Sequence, residues 1–415
     1  KAWSAKWLEE SGINTIATEV EENADGTIAS LTLNQTAPAE HPVLRPHRLA
    51  VGFYDEDPAT GKIVRTDRFE LDVDGESTVV AAAAGKKRPA FILVNDDDLT
   101  YTKLRFDADS LSFALANLQR FDDALARAVV WLSLWDMTRD GDLAAEKFID
   151  TTLALLATET ESTTFRYALS CMSTTAWHYT APDRRADVVK HVAKELWKLV
   201  IAAPGGSDQQ FQLVTAYLGY GEEGDAEFAE HAQGLFDGSL IVAGLEIDNN
   251  FTWTIINALS SVKLIDQAGI DAQLAKRDTT ENREFALGAH AVRGDAAAKE
   301  WAWNEALNNA DLTNMRLEAV ARGFGATPRP DLAEPYAAKY YDVVDWVWKN
   351  KSFHMAEALL EGLYPYYADP ATLVELGHRW LADHEDADNA LKRIVRGNVE
   401  SSQRTLKVRD FNAAL

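Results

Sequence analysis

Apolar and polar residues alternate with a period of two through the first quarter of the chain. Leu31 and Leu33 alternate with Ser30, Thr32 and Asn34; Leu49, Val51 and Phe53 do the same, as do Phe69, Leu71 and Val73. Val79-Val80 and Phe91 through Val94 read as further strands. Ala24-Asp25-Gly26, Asp57-Pro58 to Gly61-Lys62, Asp74-Gly75 and Gly85 to Pro89 supply the turns between them. Short strands at that spacing predict a small antiparallel β-sandwich over residues 19–98. Between Asn95 and Leu111 the period changes, and from residue 99 to 415 the pattern is helical. Phe121, Leu125, Val129 and Leu132 trace one helix face; Val189, Val192, Leu196 and Leu199 trace another. Pro182-Asp183, Pro204 to Asp208, Gly238-Ser239 and Asp369-Pro370 stop one helix and start the next. Consecutive amphipathic helices over that length must stack to bury their faces, which predicts a curved, superhelical array of hairpins like HEAT or armadillo units. The fold class is therefore mainly α with a small all-β domain, a β-sandwich followed by a curved α-helical array. The tryptophans of the helical part, Trp131 and Trp253 among them, are expected to be packing residues.

Composition excludes several kinds of function. With 415 residues, 47% of them hydrophobic and 26% charged, the chain is ordinary globular protein. A formal charge of −24 repels phosphates over the whole surface, which argues against a nucleic-acid or anionic-membrane partner. No apolar run approaches the roughly 20 residues that span a bilayer. The single cysteine, Cys171, permits no intrachain disulfide; it is expected to be a buried thiol, and it favours a cytoplasmic location. The opening AWSAKWLEESGINTI reads as the end of a helix entering a strand, with Trp3 and Trp7 one turn apart. Residues 1–18 thus form a tail and linker, and the chain is expected to be a fragment whose beginning has been removed.

Motifs for independent chemistry are missing or misplaced. Neither a G-x-S-x-G elbow nor a G-x-x-x-x-G-K loop occurs. The G-x-G-x-x-G at Gly219 to Gly224 follows a helical pattern and carries Glu222 and Glu223, so it predicts a helix-to-helix turn, not a nucleotide loop. Asp96-Asp97-Asp98 lacks the glycine and glutamate spacing of a calcium loop and predicts a strand exit. His178, between Trp177 and Tyr179, and His354, beside Met355, are expected to be packing histidines, and Glu222 to Glu227 a solvated face.

Several blocks in order carry a family likeness: WLEESGINTI from Trp7, RPHRLAVGFYD from Arg45, NDDDLTYTKLRFDADSL from Asn95, RAVVWLSLWDMTRDGDLAAEKF from Arg127, NMRLEAVARGF from Asn314 and MAEALLEGLYP from Met355. Together they resemble the aminopeptidase N family of gluzincin zinc exopeptidases, in its actinobacterial branch. The likeness falls on the sandwich and helical bowl that follow the catalytic domain. It implies a parent with a β saddle, a thermolysin-like zinc domain, a small sandwich and a helical bowl, of which this chain is the last two with the tail of the catalytic domain at 1–18. The bowl would cap the active site and govern access of peptides with free amino ends.

The family's zinc motif, H-E-x-x-H, places two imidazoles one helical turn apart. None of the nine histidines has a second three or four residues away, and His384-Glu385 has Asp388 where the second ligand would stand. Zinc is therefore assigned to the parent's catalytic domain and to no residue of this chain, which is expected to be inactive alone. The partners implied are that missing domain and a peptide substrate. Arg283, Arg293, Arg316 and Arg322, arginines in an acidic chain, are the candidates for meeting a peptide carboxylate, against ion pairs with Glu281, Glu284 or Glu318. The competing function is a stand-alone helical-repeat scaffold that binds a protein partner.

Overall fold

A computed structural model describes residues 2–415; Lys1, the first residue of the predicted tail, lies outside the described residues. The chain divides into two compact units, one up to Met172 and one from Ser173 to Leu415.

The first unit holds α1 (Ala2–Leu8), β1 (Thr15–Glu22), β2 (Ile28–Thr36), β3 (His47–Glu56), β4 (Ile63–Val73), β5 (Ser77–Val79), β6 (Phe91–Asp96) and β7 (Lys103–Arg105). The helices α2 (Ala108–Asn117), α3 (Ala124–Asp140) and α4 (Ala145–Leu156) follow, and α5 (Ser162–Thr174) runs across the division. The strands make two sheets, ordered β5-β2-β1-β7 and β4-β3-β6. All neighbours are antiparallel except β1 and β7, which pair in parallel from Thr15 opposite Lys103 to Ala17 opposite Arg105. The β region therefore reaches beyond both ends of the alternating stretch at 19–98. Three-residue β7 is too short to show a period, so its pairing is a tertiary event. Because α2 and α3 pack on β6, and α3 also on β7, these helices belong with the sheets and not with the later array.

Alternation is clearest in the first half of β1, which buries Ile16 and Thr18, and in β2 from Leu31, which buries Leu31, Leu33 and Gln35. In β3, the central strand of its sheet, both faces are covered from Leu49 to Tyr54. Edge strand β4 buries only Ile63 and Val73; Phe69 and Leu71 are half covered, and Arg65, Asp67, Arg68, Glu70 and Asp72 line the rest with charge. Such a charged edge resists pairing with another chain.

The acidic run at the end of β6 is a left-handed exit. Asn95, Asp97 and Asp98 have φ of 58°, 66° and 52°, and the β3–β6 register slips between Ala50 and Val51, which leaves Asn95 bulged out of the ladder. The bulge turns Asp96 inward. Its buried carboxylate accepts from the Tyr54 hydroxyl at 2.6 Å and from Arg65 Nη1 at 2.7 Å, and Arg65 also reaches Asp97 at 2.8 Å. Gly52 makes room for this arrangement, because a Cβ there would lie 2.5 Å from Asp96 Oδ2 and 2.8 Å from the Tyr54 ring.

Arg45 closes the other end of the unit. Buried at 3% exposure, it donates Nε to Lys6 O at 2.9 Å and Nη2 to Glu10 O at 2.7 Å and Ser11 O at 3.0 Å, and it stacks over Trp7. His47 bridges Gln35 Oε1 at 2.9 Å and Thr100 Oγ1 at 2.8 Å, tying β3 to β2 and to the loop after the aspartates.

In the second unit, helices pair as hairpins: α6 (Arg185–Ala202) with α7 (Asp208–Leu218), α8 (Ala226–Asp237) with α9 (Asn249–Ser261), and α10 (Gln267–Lys276) with α11 (Thr280–Ala291). Then come α12 (Ala296–Asn308) with α13 (Asn314–Gly325), the single turn α14 (Pro330–Ala333), α15 (Ala337–Asn350) with α16 (Phe353–Gly362), and α17 (Pro370–Asp383) with α18 (Asn389–Ala413). The second helices of successive hairpins touch in turn, α7 to α9 to α11 to α13 to α16 to α18, so the hairpins stack as a two-layer array. Aspartate, serine or threonine caps start most of them: Ser207, Asp225, Asp248, Asp266, Thr279, Asp295, Thr313, Ser352, Asp369 and Asp388 each accept from a first-turn N–H. Glycine allows close approach of α13 and α16, where a Cβ on Gly362 would fall 2.7 Å from Ala321 Cβ. Trp131 and Trp253 are 1% exposed, in the cores of the first and second units respectively. Trp346, at 42%, is the kind of ridge position that periodicity alone does not separate from core. No helix of the described residues is long and apolar enough to cross a membrane.

Gly52→Ala forces Asp96 or Tyr54 to move and should cost ~2 kcal/mol by overpacking. Gly397→Ala, on α18 with nothing within 4 Å of the new methyl, should stabilise by about 0.5–1 kcal/mol. Urea midpoints of the two variants moving in the same direction would contradict this account.

Candidate functional sites in the helical array

The four arginines singled out in the sequence lie on two neighbouring helices that run in the same direction, with Gly288 of α11 beside Ala319 of α13 and Gly323 beside Ala291. Arg283, in the first turn of α11, forks onto Asp278 with Nε–Oδ1 at 2.6 Å and Nη2–Oδ2 at 2.9 Å. Arg293, just past the end of α11, closes on Asp295 at 3.0 Å. Their partners are loop aspartates, not the glutamates nearest in sequence. Arg316, in the first turn of α13, has its Nε shut from water with no acceptor. Arg322, near the end of α13, is 80% exposed and only 3.9 Å from Glu318. No described interaction joins any two of the four.

Arg322 opens onto a groove between α13 and α16 of about 390 Å³, lined also by Glu318, His354, Glu357 and Glu361. His354 Nε2 meets Glu318 Oε1 at 2.9 Å, so this histidine faces solvent and carboxylates, not the packing position expected for it. The groove can hold a chain segment carrying charges of either sign. It brings no nucleophile to a base.

Ligands for zinc are not assembled. His384 presents Nδ1 to Trp380 O at 2.8 Å and Nε2 to Asp345 at 2.9 Å, and Asp388 caps α18, so both histidine nitrogens and the carboxylate are committed. Among the described residues no group of three or more histidine, cysteine, aspartate or glutamate side chains is placed to hold a metal ion. Cys171 is buried, and burial pushes its thiol up to about 12. Gly219 to Gly224 link α7 to α8 as a helix-to-helix turn, and Glu223 there pairs with Lys263 at 3.0 Å and Arg329 at 2.7 Å.

Sequence reasoning passed over three cations whose nitrogens are enclosed. Lys299, on α12, is 2% exposed; its ammonium donates to Ala291 O at 2.7 Å, Phe324 O at 3.1 Å and Gly323 O at 3.2 Å, and to the Thr327 hydroxyl. Those carbonyls end α11 and α13, where helices leave acceptors unpaired. Burial nevertheless lowers the Lys299 pKa to about 7. Arg185 and Arg409, at the start of α6 and near the end of α18, flank His178: α6 and α18 both pack on the turn that carries it, and Arg409 Nε donates to its carbonyl at 2.7 Å. Arg409 and His178 are 231 positions apart in sequence, so no local pattern could have paired them.

A small β region followed by an array of helical hairpins defines a class, and comparison with known proteins identifies it. Residues 91–404 match the model of the ERAP1-like C-terminal domain, and the chain belongs to that family. Over 420 aligned residues it is 35% identical to aminopeptidase N of Streptomyces lividans. That alignment takes in all of this chain and 48% of the relative, so the chain spans about half the length of the protein it matches.

Because the folded pKa of Lys299 lies below its ordinary 10.5, the unfolded chain holds more protons between about pH 7 and 10.5, and stability should rise with pH across that window. The slope is at most about 1.4 kcal/mol per pH unit. Urea midpoints of the wild type and of Lys299→Met at pH 7, 8 and 9 should diverge in the wild type's favour; a difference that stays flat would contradict it.

Proposed function

We propose that this chain is the non-catalytic carboxyl-terminal portion of a zinc-dependent aminopeptidase of the aminopeptidase N kind, and that it caps the active site and governs which peptides enter. The observation that carries the reading is the match of the whole chain to about half of an aminopeptidase N, within the ERAP1-like C-terminal domain family. Water activation by zinc would then fall to residues of the parent outside this chain. These helical hairpins, acting as a HEAT-like repeat, would supply exclusion of water and positioning of the peptide. The parent would act in the cytoplasm on peptides with free amino ends.

Of the four candidate arginines, Arg316 and Arg322 are the better placed to meet a peptide's trailing carboxylate, because Arg283 and Arg293 already hold aspartates. The purified chain should release no p-nitroaniline from leucine p-nitroanilide above the buffer rate and should bind no stoichiometric zinc by atomic emission. Turnover that co-purifies with the chain and is abolished by chelators would overturn the proposal. In the parent enzyme, Arg316→Ala with Arg322→Ala should raise KM for a tetrapeptide acid about tenfold, the worth of one charge-assisted hydrogen bond, and leave the tetrapeptide amide unchanged. Equal effects on acid and amide would remove the two arginines from the reading.

A further inference from the structure

Arg127 shows how this chain settles a buried guanidinium elsewhere: it forks onto Glu159, with Nε–Oε2 at 2.8 Å and Nη2–Oε1 at 3.1 Å. Arg185 and Arg409 have no such partner. Arg185, the first residue of α6, has both Nε and Nη2 shut from water without an acceptor. Those two nitrogens make one edge of the planar guanidinium, the edge that a carboxylate or phosphate engages through two parallel hydrogen bonds. Arg409 is 9% exposed; it donates Nε to His178 O at 2.7 Å, while its Nη2 is enclosed and unanswered. No described carboxylate comes within 4.0 Å of either side chain.

The surroundings are positive and short of acceptors. Burial first, and then the charge of Arg185, push the Arg409 pKa down to about 10. His178 is lowered to about 3 by burial, then by Arg409 and Arg185, so its ring stays neutral and stacks on Tyr367 at 4.7 Å. Two anionic groups are within reach of the field without closing on it. Glu222, beside Arg185, is half buried and has its own pKa raised by burial. Asp369, beside Arg409, uses a carboxylate oxygen to cap α17 through Thr372 N at 2.9 Å. The start of α6 has no side-chain cap either. His178 is carried on a π-helical turn, Thr175–Tyr179, a local geometry that recurs at functional sites. Two neighbouring like charges with three enclosed, idle donors are unfavourable unless an anion sits between them.

We propose that Arg185 and Arg409 are the paired donors of a binding site for one oxyanion, a carboxylate or phosphate group, seated on the Nε–Nη2 edge of Arg185 and closed by Arg409 Nη2. The site is separate from the peptide-facing arginines above and does not rest on that reading.

Inorganic phosphate and acetate are the probes, each titrated into the purified chain at constant ionic strength against chloride while the thermal midpoint is followed. A saturable rise is expected with at least one of them, and the probe that gives it identifies the source of the oxyanion. The double variant Arg185→Gln with Arg409→Gln should lose that rise; freed of its neighbouring like charges, it should melt in chloride no lower than the wild type. A rise of equal size in the variant, or none in the wild type with either probe at tens of millimolar, overturns the site. Should the double variant fail to fold, Arg185→Lys keeps the charge and loses the fork. Its affinity by calorimetry should then fall about tenfold, and an unchanged affinity would overturn the site as well.

Discussion

Asp96 lies almost wholly out of water, and the smaller sheet is organised around its carboxylate. A buried carboxylate is tolerable only with strong donors close by, and the chain provides the Tyr54 hydroxyl and the Arg65 guanidinium. Each demand passes to the next residue. Tyr54 must sit on β3 beside β6 and Arg65 one strand further, on β4, Gly52 must have no side chain, and Asn95 must leave the ladder so that Asp96 can turn in. The blocks GFYD and NDDD are therefore one device written in two places. Arg45 applies the same logic to main chain, since its guanidinium supplies donors to carbonyls of the last turn of α1 and of the segment after it.

In the second unit the corresponding problem is the ends of helices. Stacked hairpins bury their apolar stripes readily, but each buried terminus leaves carbonyls without partners. Lys299 answers those of α11 and α13, and Asn398 does the same between α15, α16 and α18. It donates to Leu360 O at 3.2 Å and to the Tyr340 hydroxyl at 3.0 Å, while Tyr340 itself donates to Leu360 O at 2.7 Å. Such joints fix the angle between successive hairpins more sharply than apolar contact can, because a hydrogen bond has direction and a methyl contact has little. Arg185 and Arg409 stand out against this background as buried donors left unanswered.

An array of this kind presents shape and charge along its surface. Its groove along α13 and α16 holds three glutamates, a histidine and an arginine, none of them posed as nucleophile and base. The chain belongs to a C-terminal domain family and matches about half of a relative twice its length.

Periodicity alone determined that strands give way to helices, because burial of one face imposes a repeat of two on a strand and of 3.6 on a helix whatever the partner. The histidine spacings excluded a zinc helix motif, since ligand geometry on a helix is local. Ordered blocks such as RPHRLAVGFYD carried the family likeness. Tertiary structure decided what depends on distant residues: the parallel pairing of β7 with β1, the aspartate partners of Arg283 and Arg293, the exposed face taken by His354, and the meeting of Arg409 with His178. None of these leaves a trace in spacing. Electrostatic pairing and burial depend on which surfaces meet in space, and a one-dimensional pattern records only which face of its own element a residue occupies.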